Sequence, residues 1–173
     1  VQKNIKAKNA WGFDLSAACS GFLYGLVTGA NFIESGKHKN VMVIGVDTMT
    51  SILDFQDRDT CVIFGDGGGG VILEPTSHIY GIIDSIMRMD GSGGDYLIVP
   101  GGGSRIPATI DSVKDRKHYI KQDGKTVFKH AVKGMAEVSE KILSNNNLTG
   151  KDISLFIPHQ ANKRIIDAAA ERC

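Results

Sequence analysis

Two residues of this chain stand where they could do thiol and acyl chemistry. Cys19 follows Phe13-Asp14-Leu15-Ser16-Ala17-Ala18, a short apolar run expected as a strand that stops at small residues. Beyond it, apolar residues recur at Phe22/Leu23, Leu26/Val27, Ala30 and Ile33, the spacing of a buried helix face. The cysteine is therefore expected at the junction of a strand's carboxyl end and a helix's amino end. Unpaired N–H groups and the positive end of the helix dipole favour an anion there, which suits a nucleophilic thiolate. His159 follows Ile153-Ser154-Leu155-Phe156-Ile157-Pro158, expected as a second strand. It precedes Asn162, expected to cap a helix that buries Ile165, Ile166 and Ala169. Taken singly, a free cysteine is most often a small buried hydrophobe, and a histidine after a buried strand is most often structural. Two such junctions in one chain point to a shared nucleophilic site, because ligands of open α/β sheets bind outside strand ends.

The elements that must position these residues follow from periodicity and glycine. Gly21, Gly25 and Gly29 fall four residues apart on the helix from about Cys19 to Ser35. Each costs about 1 kcal/mol against alanine in a helix interior, so close approach of another backbone is expected to offset them. Gly36 is the expected C′ residue, with Lys37 and Lys39 near the negative dipole end. Val41–Val46 is a continuous apolar run, expected as a parallel strand covered on both faces, and with the preceding strand and helix it makes a βαβ unit. Residues 57–74 contain Gly65, Gly67 and Gly70 in the G-x-G-x-x-G pattern, but Val71-Ile72-Leu73 reads as a strand where a dinucleotide site needs a helix. Two strands joined by a glycine turn are expected there, with Cys61 in the core. A further strand is expected at 79–86, and residues 90–118 form a long glycine-rich loop that is either a lid or binding loop or disordered. Val127, Phe128, Ala131, Val132, Met135, Val138, Ile142 and Leu143 mark a long amphipathic helix, with a turn at Thr149–Asp152.

Composition narrows the function classes. The 173 residues suffice for one ordinary domain, yet the chain begins at Val and ends within an expected helix, so a fragment of a longer protein is expected. A net charge of +1 carries no global basic field for nucleic acid, and neither a signal peptide nor a membrane-spanning apolar run is present. Three cysteines without disulfide-like spacing fit a reducing cytosol. The five histidines are scattered and give no metal-ligand spacing. Between Lys114 and Lys133, seven Lys/Arg stand against two Asp, with Lys125, Lys129 and Lys133 on one helix stripe. Such a stripe is either a solvated face or a docking surface for an acidic protein or a phosphorylated ligand. The residues alone leave open a Cys–His nucleophilic enzyme and a non-catalytic scaffold that binds an acidic partner through its basic stripe.

Four segments together resemble one family. Ser16-Ala17-Ala18-Cys19-Ser20-Gly21-Phe22, Asp57-Arg58 with Phe64-Gly65-Asp66-Gly67, Val127-Phe128-Lys129, and Ile157-Pro158-His159-Gln160-Ala161-Asn162 are similar to the β-ketoacyl-acyl carrier protein synthase III family. The resemblance implies a thiolase-like layered α/β fold, here incomplete and covering roughly the middle half of the family's length. Residues 1–118 would be the C-terminal part of the first thiolase-like half, including the glycine-rich loop 90–118, and residues 119–173 the N-terminal part of the second. It further implies that Cys19 takes an acyl group, typically acetyl, from coenzyme A. His159 then assists a decarboxylative condensation with malonyl-acyl carrier protein. By the same resemblance Arg58, Gly124, Phe128, Ala161 and Asn162 line the coenzyme A and pantetheine channel. Lys129 and Arg164 receive the acidic carrier protein. The implied enzyme is a cytoplasmic homodimer without metal or redox cofactor, with no membrane or nucleic-acid partner. The family's third catalytic residue, an Asn in a later Gly-Asn segment, has no counterpart in these residues, nor does its C-terminal oxyanion loop. The isolated chain is therefore expected to be inactive in condensation.

Overall fold

The computed structural model describes residues 1–172. The chain divides into two compact units, Val1–Gly45 with Gly70–Ser77, and Val46–Gly69 with His78–Cys173. In the first unit, helix α1 (Gly21–Glu34) lies against a two-stranded sheet of β1 (Val41–Asp47) and β2 (Gly67–Leu73). Glycine makes this possible. A Cβ at Gly29 would stand 2.8 Å from Leu73 Cδ1, 3.1 Å from Val43 Cγ2 and 3.2 Å from Val41 Cγ1, and one at Gly25 would stand 2.9 Å from Val43 Cγ1. The expected close approach therefore holds at Gly25 and Gly29 but not at Gly21, around which there is open space. A four-residue step overshoots the 3.6-residue turn, so the first glycine has already rotated off the contact. α1 ends where expected: Ser35 N–H donates to Asn31 O, and Gly36 follows at φ +71°, a left-handed conformation suited to glycine. Trp11 packs edge-on against Phe32 at 5.7 Å, tying the N-terminal segment to the helix.

The second unit is built around two helices that pack on one another, α3 (Gly124–Asn145) and α4 (Lys163–Ala170). Val132 of α3 and Ile165 and Ala169 of α4 are buried, as expected of their apolar faces, and Ala136, which the periodicity did not mark, is buried as well. The expected loop at 90–118 carries structure of its own. Within it, β3 (Leu97–Ile98) pairs antiparallel with β4 (Lys121–Gln122), and α2 (Ile110–Lys114) opens on a Thr109–Ser112 capping box. Gly101 N–H donates to Lys117 O at 2.7 Å and Gly102 N–H to Ile106 O at 2.9 Å, closing the segment on itself. A buried carboxylate ties this region to the turn before it: both oxygens of Asp54, 4% exposed, are held by the Arg116 guanidinium.

Four expected strands do not form. Residues 13–15, 79–86 and 153–157 have no strand conformation, and of residues 61–64 the first three lie in successive turns, so Cys61 is half-buried and outside the core. The predicted βαβ unit accordingly lacks its first strand, and the glycines at 67–70 lie inside β2 and not in a turn before it. For residues 61–64 local turn hydrogen bonds win; the reason at the other segments is the want of a partner. A strand is stabilised by a neighbour that takes its backbone hydrogen bonds and covers its apolar face. Leu155 and Ile157 are 73% and 77% exposed. β1 shows half of the same effect: Val43 is buried, but Met42, Ile44 and Val46 on the opposite face are exposed, so the run is covered on one face and not two.

Two outcomes follow from these contacts. Gly29→Ala should lower the unfolding free energy by about 1 kcal/mol, because overpacking costs of about 1–3 kcal/mol exceed the helix-propensity gain. Gly21→Ala should leave it unchanged or raise it, as urea unfolding of both variants will show. The Arg116 hydrogen bonds hold the Asp54 carboxyl down at about 2, below its ordinary 3.8. Its contribution to stability is thus complete above pH 4 and disappears as pH falls through about 2. An Asp54→Asn variant should show a shallower acid-unfolding curve over that interval.

Candidate active-site residues

Cys19 is exposed and sits at the centre of a 3-10 turn, Ala18–Ser20, that runs directly into α1. The helix-start placement expected for it is observed, although no strand leads in. Ala18 just before it adopts φ +46°, a left-handed conformation that non-glycine residues rarely take and that costs about 1–2 kcal/mol. Ser20 N–H donates to Ala17 O at 3.1 Å and closes the turn. The cysteine thus sits exposed on a strained turn at the entrance to α1.

The other predicted site residues belong to the second unit. Gly124 is the first residue of α3, and Asp123 caps the helix by accepting from Thr126 N–H at 3.1 Å and Thr126 Oγ1 at 2.7 Å. Those bonds hold the Asp123 carboxyl below its ordinary value. Phe128, one turn further, is half-buried, and Lys129 beside it is exposed. His159 is exposed on the segment after Pro158, where Gln160 Nε2 donates to Pro158 O at 3.0 Å. Ala161 is half-buried, and Asn162 is the cap that the sequence indicated, its side-chain oxygen accepting from Arg164 N–H at 2.9 Å. Arg164 is exposed in the first turn of α4. The starts of two packed helices thus carry Gly124, Phe128 and Lys129 on one side, and Ala161, Asn162 and Arg164 on the other.

Arg58 is exposed in a tight turn where Asp57 O accepts from Thr60 N–H at 3.3 Å and Cys61 N–H at 3.0 Å. Residues the sequence did not single out anchor that turn: Asp54, Arg116 and Lys121. Asp54 and Arg116 are 62 positions apart, so no local pattern could have joined them. Two shallow clefts of the second unit are lined by other side chains. One of about 440 Å³ is bounded by Arg88, Glu137, Glu140, Lys141 and Ser144, and one of about 280 Å³ by Gly91, Ser92, Gly94, Asp95, Ile98 and Arg105. Among the described residues no helix is long and apolar enough to cross a membrane.

The profile of 3-oxoacyl-[acyl-carrier-protein] synthase III matches residues 13–91, and the profile of its C-terminal part matches residues 143–173. A β-ketoacyl-[acyl-carrier-protein] synthase III of Chlorobaculum tepidum is 60% identical over 99% of this chain and 53% of its own length. One of Koribacter versatilis is 56% identical over 99% of this chain and 52% of its own. The crystal structure of the Aquifex aeolicus 3-oxoacyl-[acyl-carrier-protein] synthase III superposes with a TM-score of 0.85 at 40% identity, covering 99% of this chain and 51% of that one. That of the Thermus thermophilus enzyme gives 0.86 at 35%, covering 99% and 52%. The chain thus spans about half the length of the relatives it matches. Its fold is the thiolase-like α/β fold of the condensing enzymes. Within that class, the chain belongs to the β-ketoacyl-[acyl-carrier-protein] synthase III family.

Asn162 has a measurable structural role apart from any ligand. Asn162→Ala should destabilise the chain by about 1 kcal/mol through loss of the cap, whereas Asn162→Ser should retain most of it. Thermal unfolding of the two variants makes the comparison.

Proposed function

We propose that this chain supplies the acyl-accepting cysteine of an acyltransferase that initiates fatty acid biosynthesis, joining acetyl-CoA to malonyl-acyl carrier protein. The observation that carries the reading is Cys19, exposed on the sharp turn into α1 and lying inside the profile match at 13–91. The Cys19 sulfur attacks the acyl carbonyl, the bond from that carbon to the coenzyme A sulfur breaks, and coenzyme A leaves with the proton the cysteine gave up. Malonyl then loses carbon dioxide, and the electron pair of the broken carbon–carbon bond becomes an enolate on the malonyl thioester. His159 donates a ring N–H to the enolate oxygen, and the enolate carbon attacks the acyl carbonyl. The bond to Cys19 breaks, the thiolate returns and regains a proton from water, and the product is a β-ketoacyl-carrier protein. These steps balance without metal or redox cofactor.

In the same reading Arg58, Gly124, Phe128, Ala161 and Asn162 contact coenzyme A and the pantetheine arm, and Lys129 and Arg164 meet the acidic carrier protein. The exposure of Lys129 and Arg164 at the starts of α3 and α4 favours this, since a docking cation has to reach a partner. Residues 1–118 close the first thiolase-like half and residues 119–173 open the second, consistent with where the two profiles fall. The full-length protein is taken as a cytoplasmic homodimer, and the chain by itself as incompetent for condensation.

The test separates the two named residues. Incubated with radiolabelled acetyl-CoA, the full-length protein carrying this chain should take up label, and Cys19→Ala should take up none. His159→Ala should label normally yet lose about 100- to 1,000-fold in condensation rate, the size expected on removing one oxyanion donor. Undiminished labelling of Cys19→Ala would remove the nucleophile and the reading with it.

A further inference from the structure

We propose that Asp54 is a positioning residue for Arg58, with Arg116 and Lys121 as its partners; this rests on the reading of Arg58 as a coenzyme A contact. Burying a lone carboxylate is costly, yet Asp54 is 4% exposed. It is kept ionised by the fork of Arg116, whose Nε donates to Oδ2 at 2.7 Å while Nη2 donates to Oδ1. Arg116 is itself fixed: its guanidinium carbon lies 4.8 Å above the Tyr119 ring, and its backbone is left-handed at φ +56°. Only the carboxylate is buried, since the Arg116 side chain is 41% exposed; what the two-point fork supplies is a fixed geometry.

That geometry is delivered to Arg58. Asp54 Oδ1 accepts from Gln56 N–H at 2.9 Å, and Asp54 O accepts from Asp57 N–H at 2.9 Å, so the buried residue starts the turn. Asp57 O then accepts from Thr60 and Cys61, which encloses Arg58, and Thr60, 1% exposed, anchors the far side. Lys121 Nζ stands 3.9 Å from Asp54 Oδ2 and 3.9 Å from Asp57 Oδ2, so one ammonium bridges both carboxylates. Lys121 belongs to β4, three residues before Gly124, and Ile120 N–H donates to Ile52 O at 2.9 Å alongside it. The clamp therefore joins the Arg58 turn to the chain that enters α3. The Arg58 side chain is left exposed, a guanidinium on a fixed base, suited to the phosphate-bearing end of an acyl-CoA.

The test measures KM in the full-length protein for acetyl-CoA and for acetyl-pantetheine, which lacks the nucleotide and its phosphates. Arg58→Ala sets the reference and should raise KM for acetyl-CoA about tenfold while leaving acetyl-pantetheine within about twofold. Asp54→Asn should do the same, and in the Arg58→Ala background it should add nothing further. Lys121→Gln leaves the Asp54–Arg116 pair intact and should raise the acetyl-CoA KM about threefold; it carries the test if Asp54→Asn does not fold. An Asp54→Asn effect that is equal for both substrates, or additive with Arg58→Ala, overturns the proposal. So does an unchanged acetyl-CoA KM in Asp54→Asn, or in Lys121→Gln where that variant carries the test, and in each of these cases the Arg58 reading still stands. An unchanged KM in Arg58→Ala overturns the coenzyme A reading of Arg58 itself, and the positioning role with it.

Discussion

The near absence of side chains on one face of α1 is the constraint on which the first unit depends. Gly25 and Gly29 let the helix axis approach β1 until the Val41 and Val43 methyl groups lie where a Cβ would otherwise sit. The sheet reciprocates, since a Cβ at Gly45 would meet Phe22 Cδ2 at 3.2 Å and one at Gly70 the Val43 carbonyl oxygen at 2.9 Å. Contacts this short leave the helix little freedom to slide, because a shift of one residue would bring side chains against strand backbone. The amino end of α1 is placed by that packing, and Cys19, on the turn leading into it, inherits the placement.

The second unit solves the same problem with polar groups. Its helices are short of buried apolar residues, and their starts are fixed by caps: Thr109 on α2, Asp123 on α3 and Asn162 on α4. Asp66 does similar work in the glycine segment, accepting from Thr50 N–H at 2.8 Å and Thr50 Oγ1 at 2.7 Å, which holds its carboxyl below the ordinary value. Asp84, Asp90 and Asp152 are lowered in the same way by Asn146, Ser92 and Thr149. These carboxylates all stabilise the fold more in the ionised form, so acid acts against the whole set in one direction.

What the sequence showed clearly was whatever depends on neighbours along the chain. The amphipathic period of α3, the Gly36 stop of α1 and the Asn162 cap are local, and each is found where the residues indicated. Strands depend on partners elsewhere, and there the reading failed. Leu155 and Ile157 belong to an apolar run that reads as a strand, but both are largely exposed and form no strand among the described residues. Val62, Ile63 and Phe64 look like a strand, but the Asp57 and Thr60 carbonyls accept from Cys61 and Ile63 N–H and draw the chain into turns instead. The family was legible because short motifs around Cys19 and His159 specify chemistry, and chemistry constrains residues more tightly than packing does.

The residues assigned to the site in the proposed reading are held by three unlike interactions, and this bears on how the surface responds to its surroundings. Cys19 depends on apolar contact, which salt hardly touches. Gly124 and Asn162 depend on caps, whose dipolar part is exposed to screening. Arg58 depends on a carboxylate that is nearly inaccessible, so its clamp is screened less than an exposed pair such as Lys163–Asp167, 2.6 Å apart at the surface. In the proposed reading of Arg58, a cation that meets a charged ligand gains by having the carboxylate that anchors its turn buried. On that reading, salt weakens the encounter more than it loosens the base from which the cation is presented.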